Sequence, residues 1–316
     1  MENKICKLFG IQHPIVQGGM VWISGARLAA AVSEAGGLGL IGSGSMPADV
    51  LREHIRKAKS LTDKPFGVNV PMLYSKVDQT IQVMEEEGVK IIFTSAGNPA
   101  AFTPALKEKG FTVVHVVSSV KFALKAQAAG VDAVVAEGFE AGGHNGREET
   151  ATMALTPAVV RAVDIPVISA GGIASGEAMA AAMVLGADGV QIGSLFAVAD
   201  ESSAHPEFKK AVLEAGDGAT MLTLKELAPV RLLKNKFYEQ VQQAYASGAS
   251  ADQLKELLGK GRARLGIFEG DMDNGELEIG QIASVIDRAM PAAEMVREII
   301  SGYNAAVKRL ENMMFR

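Results

Sequence analysis

Eight short apolar runs recur about every twenty to thirty residues along the chain, and a helical segment follows most of them. They read PIVQGGM, LGLIG, FGVNV, KIIFTSAG, TVVHVV, DAVVAEG, PVISAGG and GVQIGSLF. Near-continuous apolar strands are typical of a parallel sheet that is covered on both faces. Because strands alternating with helices form right-handed βαβ units, eight units predict an α/β fold, a closed (β/α)8 TIM barrel. A doubly wound open sheet is the alternative, and the strand count and the glycines at the strand ends favour the barrel.

The alternation of strands and helices stops after the eighth run. Residues 201–274 are predicted to be helical and without strands, and the final stretch, from IGQIASVI onward, is predicted to form long amphipathic helices. We therefore expect two parts. Residues 1–200 with 275–316 form the barrel, and residues 201–274 form an inserted helical cap that covers the substrate.

Composition limits the class of protein. The net charge of −5 and the pI near 5.7 disfavour a nucleic-acid binder, and no apolar run is long enough for a membrane span. The N-terminus lacks the apolar core of a signal peptide, and a single cysteine, Cys6, excludes an internal disulfide. These features predict a cytoplasmic protein in which Cys6 is a structural thiol rather than a nucleophile.

The stretch GLGLIG, residues 37–42, matches the dinucleotide-binding fingerprint G-x-G-x-x-G. In that fingerprint the glycines follow a strand and open a helix, whereas here a helical segment precedes them. Ser24 is predicted to cap that helix, and Gly36 and Gly37 are predicted to end it. The stretch is therefore interpreted as a joint between a helix and a strand.

Glycines follow the seventh and eighth predicted strands. Gly171 and Gly172 leave backbone N–H groups uncovered, and Ser175 can cap the next helix. Gly193 and Ser194 offer further N–H groups and a hydroxyl. Because many barrels bind phosphate at these two loops, the pattern predicts a phosphate pocket, with tight turns as the alternative.

A histidine follows the sixth predicted strand in the stretch AEGFEAGGHNG. Gly142 and Gly143 give the loop freedom, and His144 is expected to project over the barrel mouth, where it can donate a hydrogen bond or a proton. Glu137 and Glu140 either orient His144 or stabilise a turn, and Glu137 can alternatively bind a ligand hydroxyl. A solvated histidine without a function is the alternative.

The other four histidines are assigned simpler roles. His13 is predicted to be structural at the bottom of the barrel, His54 to lie on a solvated helix face, His115 to be a satisfied core residue and His205 to sit in a turn. Since no pair has the spacing of metal ligands, no catalytic transition metal is expected.

Seven motifs together resemble the nitronate monooxygenase/enoyl reductase superfamily of FMN barrels. They are IVQGGM, AGGLGLIGSGSM, DKPFGVNV, TSAGNP, AEGFEAGGHNG, VISAGGIA and VQIGSLF, in order along essentially the whole barrel. The stretches SAHPEFK, PVRLLKN and LEIGQIASVI are most similar to the enoyl-acyl carrier protein reductase II branch, which acts in bacterial fatty acid synthesis.

This resemblance implies a tightly bound FMN at the barrel mouth. It implies a phosphate site made by Gly171, Gly172, Gly193 and Ser194. It implies an isoalloxazine site made by Gly19, Met20, Gly42, Gly44 and Asn69. A weaker outer shell would be made by Glu137, Gly142, Gly143 and Gln281. His144 would lie next to the flavin and the substrate.

The resemblance also implies a reaction. NADH or NADPH reduces the flavin and leaves, and a trans-2-enoyl thioester on acyl carrier protein then receives a hydride at its β-carbon and a proton at its α-carbon. His144 polarises the thioester carbonyl or donates that proton. Arg231, Lys234 and Lys236 either meet the carrier protein or an NADPH phosphate, or form a solvated helix face. A homodimer is expected, and a monovalent cation is a possible activator.

Three alternatives remain at this stage. A nitronate monooxygenase would use the same flavin with oxygen and an alkyl nitronate. A noncatalytic barrel that binds a phosphorylated ligand and a phosphate-binding isomerase would both be colourless.

Overall fold

The computed structural model describes residues 3–313. Among them the strands are β1 (Ile15–Gln17), β2 (Gly39–Gly42), β3 (Phe66–Pro71), β4 (Ile91–Ser95), β5 (Thr112–Val117), β6 (Ala133–Glu137), β7 (Gly143–His144), β8 (Val167–Ala170), β9 (Gly189–Ile192), β10 (Thr220–Thr223) and β11 (Val230–Leu233).

The helices are α1 (Lys4–Phe9), α2 (Ala26–Glu34), α3 (Ala48–Leu61), α4 (Val77–Glu86), α5 (Thr103–Glu108), α6 (Val120–Ala128), α7 (Thr152–Val160), α8 (Gly176–Val184), α9 (Ser194–Ala197), α10 (Pro206–Leu213), α11 (Lys236–Ala246), α12 (Ala251–Leu258) and α13 (Ala292–Glu311). Short 3₁₀ turns lie at Pro99–Ala101 and Gln281–Val285, and a π-helical turn lies at Arg264–Phe268.

Eight parallel strands form the barrel in the order β1-β9-β8-β6-β5-β4-β3-β2. A parallel bridge between Val16 and Leu38 joins β1 to β2, where the Gln17 N–H donates to the Leu38 carbonyl at 2.9 Å. The eight predicted strands and the (β/α)8 class are therefore confirmed, and the open sheet is excluded.

Helix α1 lies across the end of the barrel where the strands begin. Its Ile5 and Phe9 are buried in one cluster with strand residues of the barrel interior, and the rings of Phe9 and Phe93 lie 5.7 Å apart. Cys6 is half-buried in this helix, with its thiol 3.5 Å from the Gln12 carbonyl oxygen. The thiol is therefore at the opposite end of the molecule from the carboxyl ends of the strands.

The segment after β9 contains strands, so the prediction of a purely helical insertion is wrong in this respect. Strands β10 and β11 form an antiparallel hairpin, and β11 also pairs with β7, with Val230 opposite His144 and Arg231 opposite Gly143. Helices α10, α11 and α12 account for the helical part. Because each strand is only four residues long and contains a polar residue, the hairpin has little apolar periodicity.

The basic run 231–236 does not form one solvated helix face, as one of the two sequence interpretations supposed. Arg231 is buried in β11, Lys234 is exposed, and Lys236 opens α11 and forms an ion pair with Asp273 at 2.5 Å. Arg231 is therefore unavailable to a carrier protein or to an NADPH phosphate.

The C-terminal part has one long helix rather than several. The stretch after Ile279 begins with a 3₁₀ turn and continues to α13, which packs against α8 and α2. None of the helices within residues 3–313 is long and apolar enough to cross a membrane.

Candidate active site

A cavity of about 920 Å³ opens at the carboxyl ends of the barrel strands. The structure brings most of the predicted site residues to its wall. These are Gly19, Met20, Asn69, Glu137, Gly142, Gly143, His144, Gly171, Gly172, Gly193 and Ser194. Working residues in TIM barrels lie at this end, so the cavity is the candidate active site.

Three predicted cofactor residues lie outside the cavity wall. Gly42 packs under the loop after β1, where an added Cβ would lie 2.4 Å from the Met20 carbonyl oxygen. Gly44 packs in the same way against Val21, and Gln281 is exposed, with its N–H donating to the Glu140 carbonyl at 2.9 Å. The two glycines therefore shape the wall from behind, and the Gln281 backbone fastens one loop to another.

The loop after β8 is a tight turn on the cavity wall that requires glycine. Gly171 and Gly172 adopt positive φ angles of 96° and 70°, and an added Cβ on Gly171 would lie 2.8 Å from the Gly138 carbonyl oxygen. Ser175 accepts from the Ala178 N–H at 3.2 Å, so the predicted cap of α8 is confirmed. The positive end of the α8 dipole lies beside this loop.

Ser194 lies on the same cavity wall, directly after the neighbouring strand β9 and Gly193. Its hydroxyl oxygen accepts from the Gly280 N–H at 3.0 Å, which fixes the side chain and leaves its proton available to a ligand.

Ser24 does not cap α2, contrary to prediction, because the chain enters that helix one residue later, at Gly25. Its hydroxyl donates to the Gly18 carbonyl at 2.9 Å and accepts from the Met20 N–H at 3.0 Å. Ser24 therefore holds the loop after β1 in place at the cavity wall. The start of α2 is instead satisfied by His54, whose Nδ1 accepts from the Ala26 N–H at 3.1 Å.

The remaining histidines have structural contacts. His54 is half-buried, and burial lowers its pKa, so the prediction of a solvated face is wrong. His205 accepts from the Glu207 N–H at 3.2 Å and caps α10. His115 is buried in β5 with Nδ1 2.7 Å from the Thr94 hydroxyl, and burial lowers its pKa to about 4. It is a satisfied core residue, as predicted, and it also borders the cavity.

His144 is exposed in β7 at the edge of the cavity. The Asn145 side-chain amide donates to the Ala141 and Gly143 carbonyls at 2.9 and 3.0 Å, which shapes the loop. Arg231 donates from Nε and Nη2 to the Phe139 carbonyl at 3.0 and 2.8 Å. A buried guanidinium therefore anchors the loop that carries His144, a role that the short β11 pattern did not reveal.

The two acidic residues of this loop have different roles. The Glu140 carboxylate accepts from the N–H and the hydroxyl of Thr152 at 3.0 Å, at the start of α7, so it stabilises a turn. Glu137 lies at the end of β6 on the cavity wall, and burial raises its pKa to about 7. Of the two, Glu137 is the one placed to bind a ligand hydroxyl.

A second cavity of about 400 Å³ adjoins the first, and His144, Val21 and Glu278 border both. Glu276 borders only the second cavity, which is also lined by apolar residues such as Leu224 and Leu258. Sequence reasoning missed both glutamates. The sequence feature that could have identified them is the alternation of polar and apolar residues in GELEI, in which Leu277 and Ile279 are buried on the other side of the chain.

Within residues 3–313 no group of three or more histidine, cysteine, aspartate or glutamate side chains is arranged to hold a metal ion. The polar groups on the wall of the main cavity include glycine N–H groups, serine hydroxyls, side-chain amides and the carboxyl groups of Glu137 and Glu278. Such a set suits a phosphorylated, hydroxyl-bearing ligand in a large cleft of a TIM barrel.

Comparison with known proteins identifies the family. The family model described as nitronate monooxygenase matches residues 2–302, and the chain belongs to the nitronate monooxygenase family. The structure of FabK, an enoyl-acyl carrier protein reductase II, from Thermotoga maritima is similar to this chain with a TM-score of 0.94 and 41% identity, covering 99% of this chain and 100% of that one.

Two curated relatives have other names. A (3aS,4S,5R,7aS)-5-hydroxy-7a-methyl-1-oxo-octahydro-1H-indene-4-carboxyl-CoA dehydrogenase from Mycobacterium tuberculosis is 32% identical, over 95% of both chains. A nitronate monooxygenase from Paraburkholderia phytofirmans is 31% identical, over 98% of this chain and 97% of that one. The chain is accordingly a flavin-dependent oxidoreductase with FMN as its cofactor.

The residues present fit FMN. The side-chain oxygen of Gln191 is buried on the cavity wall and has no hydrogen-bond partner among residues 3–313, so it is ready to accept from a ligand. Gly171 and Gly172 border the cavity without side chains, and Glu137 offers a carboxyl group. A phosphate, a chain of hydroxyls and a ring with N–H groups match these features.

Proposed function

We propose that the protein reduces the double bond of a trans-2-enoyl thioester carried on acyl carrier protein, with NADPH or NADH as the reductant, in the last step of fatty acid elongation. The observation that carries the proposal is the 41% identity with FabK along the full length of both chains. The relative from Mycobacterium tuberculosis adds support, since it is named as a dehydrogenase of a carboxyl-CoA, which is a thioester.

When bound, FMN supplies hydride transfer between the nicotinamide and the substrate. Gly171, Gly172, Gly193 and Ser194 would hold its phosphate, and Met20 and Asn69 would line its ring. His144 stands at the cavity edge on a loop anchored by Arg231, where it polarises the thioester carbonyl or delivers the proton to the α-carbon.

The test follows the visible flavin spectrum without oxygen. We expect NADPH or NADH to bleach the flavin band and a short enoyl thioester to restore it. Bleaching without recovery would contradict enoyl reduction, and a protein that gives no flavin band when FMN is supplied would contradict a flavin enzyme.

His144→Ala provides the matched variant. The nicotinamide should still bleach the flavin, whereas recovery with the thioester should slow by about a hundredfold or more, the effect of losing an acid or polarising donor. Recovery at the wild-type rate would remove His144 from the mechanism.

A nitronate monooxygenase is the second candidate, favoured by the family model and by the relative from Paraburkholderia phytofirmans. That activity predicts that an alkyl nitronate and oxygen, without any nicotinamide, turn over on the enzyme. The same preparation tests both candidates.

A homodimer and a monovalent-cation requirement remain predictions.

A further inference from the structure

Strand register places His144 and Glu278 side by side. His144 is opposite Val230 in β11, and Glu278 forms an antiparallel bridge with Leu232, further along the same edge. Val230 and Leu232 are two residues apart, so their side chains share one face of the sheet, and the residues opposite them share it too. The backbones of His144 and Glu278 are therefore separated by about 7 Å, two strand residues.

Glu276 extends this row. It is two residues before Glu278 in an extended stretch, while the intervening Leu277 is buried in the core. The Leu233 N–H donates to the Leu277 carbonyl at 2.9 Å, which fixes the register. The carboxylate of Glu278 lies over Gly143, since an added Cβ there would be 2.7 Å from its Oε2. Three titratable side chains thus line the second cavity beside each other.

The charges of Glu278 and His144 both act on Glu276. Burial raises the pKa of both glutamates, the charge of Glu278 raises that of Glu276 further, and the charge of His144 partly offsets this rise for Glu276. Two neighbouring carboxyl groups with raised pKa values resist ionising together.

Other charged groups border the same two cavities. They are Arg262 and Arg264 in the second cavity, and Glu137, His115 and Lys125 in the first. The charge of Arg262 lowers the pKa of Glu276, while its guanidinium donates to the carbonyls of Leu257, Leu258 and Asn274. Arg264 pairs with Glu269 at 2.9 Å.

We propose that Glu276 and Glu278 hold a proton in the second cavity and return it to His144 after each turnover. The inference rests on the proposed function, in which the imidazolium of His144 gives its proton to the α-carbon. Neutral His144 then takes the proton of the Glu278 carboxyl group, and the pair regains one from water. The glutamates are positioning residues that act through His144, and one proton enters for each double bond reduced.

The first test needs no turnover. The ring of His144 is titrated by NMR in the FMN-loaded wild type and in Glu278→Gln, with His144→Ala used to assign the signal. Because a neighbouring negative charge favours the imidazolium, the variant should lower the pKa of His144 by about one unit. Glu256→Gln, an exposed glutamate of α12, is the control and should leave it unchanged. An unchanged titration in both Glu278→Gln and Glu276→Gln would overturn the proposal.

The second test is the pH profile of flavin recovery with enoyl thioester. For Glu278→Gln we expect a rate about tenfold below wild type at pH 8 and close to it at pH 6, where the solvent protonates His144 directly. Glu278→Asp should regain part of the rate. An equal loss at every pH would indicate a merely structural role and overturn the proposal. If wild type itself fails to reduce the thioester, the proposed function fails, while the titration still tests the pair.

Discussion

Glu137 carries a carboxyl group in a position where water is scarce. Burial at the end of β6 raises its pKa from 4.5 to about 7, so the folded protein favours the protonated form. The stability that this preference gives is complete below the unfolded pKa and is lost as the pH rises through the folded one. In the protonated form the Glu137 carboxyl group can donate a hydrogen bond as well as accept one.

Glu137→Gln tests this effect in the protein stripped of FMN. Between pH 5 and pH 8 the wild type should lose about 2 kcal/mol more stability than the variant, because glutamine does not ionise. Urea unfolding at the two pH values measures the difference. Parallel losses in the two proteins would show that Glu137 keeps an ordinary pKa.

The histidines illustrate which single residues the sequence can assign. His144 was found because glycines and a strand end single it out, and His115 because it lies inside an apolar run. His54 was misassigned since its partner, the Ala26 N–H, is 28 residues away and on another helix. Glu276 and Glu278 were missed because their shared cavity depends on the register of a hairpin that the sequence did not predict.

Helices α8 and α13 cross with their backbones in contact. An added Cβ on Gly176 would lie 2.0 Å from the Tyr303 nitrogen, and one on Gly302 would lie 3.3 Å from the Gly176 Cα. Gly176 is the first residue of α8, which follows the Gly171–Gly172 loop. The C-terminal helix therefore fixes the position of the predicted phosphate site.

Gly176→Ala should destabilise the protein by about 1–3 kcal/mol, the range for overpacking, and should weaken FMN binding. Gly216→Ala is the control, since an added Cβ there meets nothing within 4 Å. Urea unfolding and FMN titration measure both effects. Equal stability of the two variants would mean that α8 and α13 can move apart without loss of stability.

Strands and helices were predictable to different extents in different parts of the chain. The barrel strands were recognised because each is a continuous apolar run. The β10–β11 hairpin was not, since β11 finds part of its pairing with β7, and Arg231 within it donates to a carbonyl rather than facing the surface. The terminal segment was overpredicted as helix because an apolar 3₁₀ turn has a similar spacing.

The whole molecule contributes to one site, because loops from β1, β3, β6, β8 and β9 meet around the main cavity. A ligand that joins these loops binds the folded chain and not the unfolded one. Ligand binding therefore adds to the stability of the entire barrel.

FMN at a hundredfold excess over its dissociation constant should stabilise the protein by about 3 kcal/mol and raise Tm by several degrees. Riboflavin, which lacks the phosphate, is the matched ligand and should give a smaller rise at the same concentration. Calorimetry with each ligand measures the shift. Equal shifts would contradict the phosphate pocket at Gly171 and Ser194.

Helix α1 closes the end of the barrel at which the strands begin. Because Ile5 and Phe9 close one end of the barrel with apolar contacts, ligands reach and leave the interior at the other end, where the strands finish. A reductant and an acceptor that both react with the bound cofactor would then use the same entrance and bind one after the other. The closed end therefore serves the stability of the barrel, while the loops at the opposite end carry the residues that line the cavity.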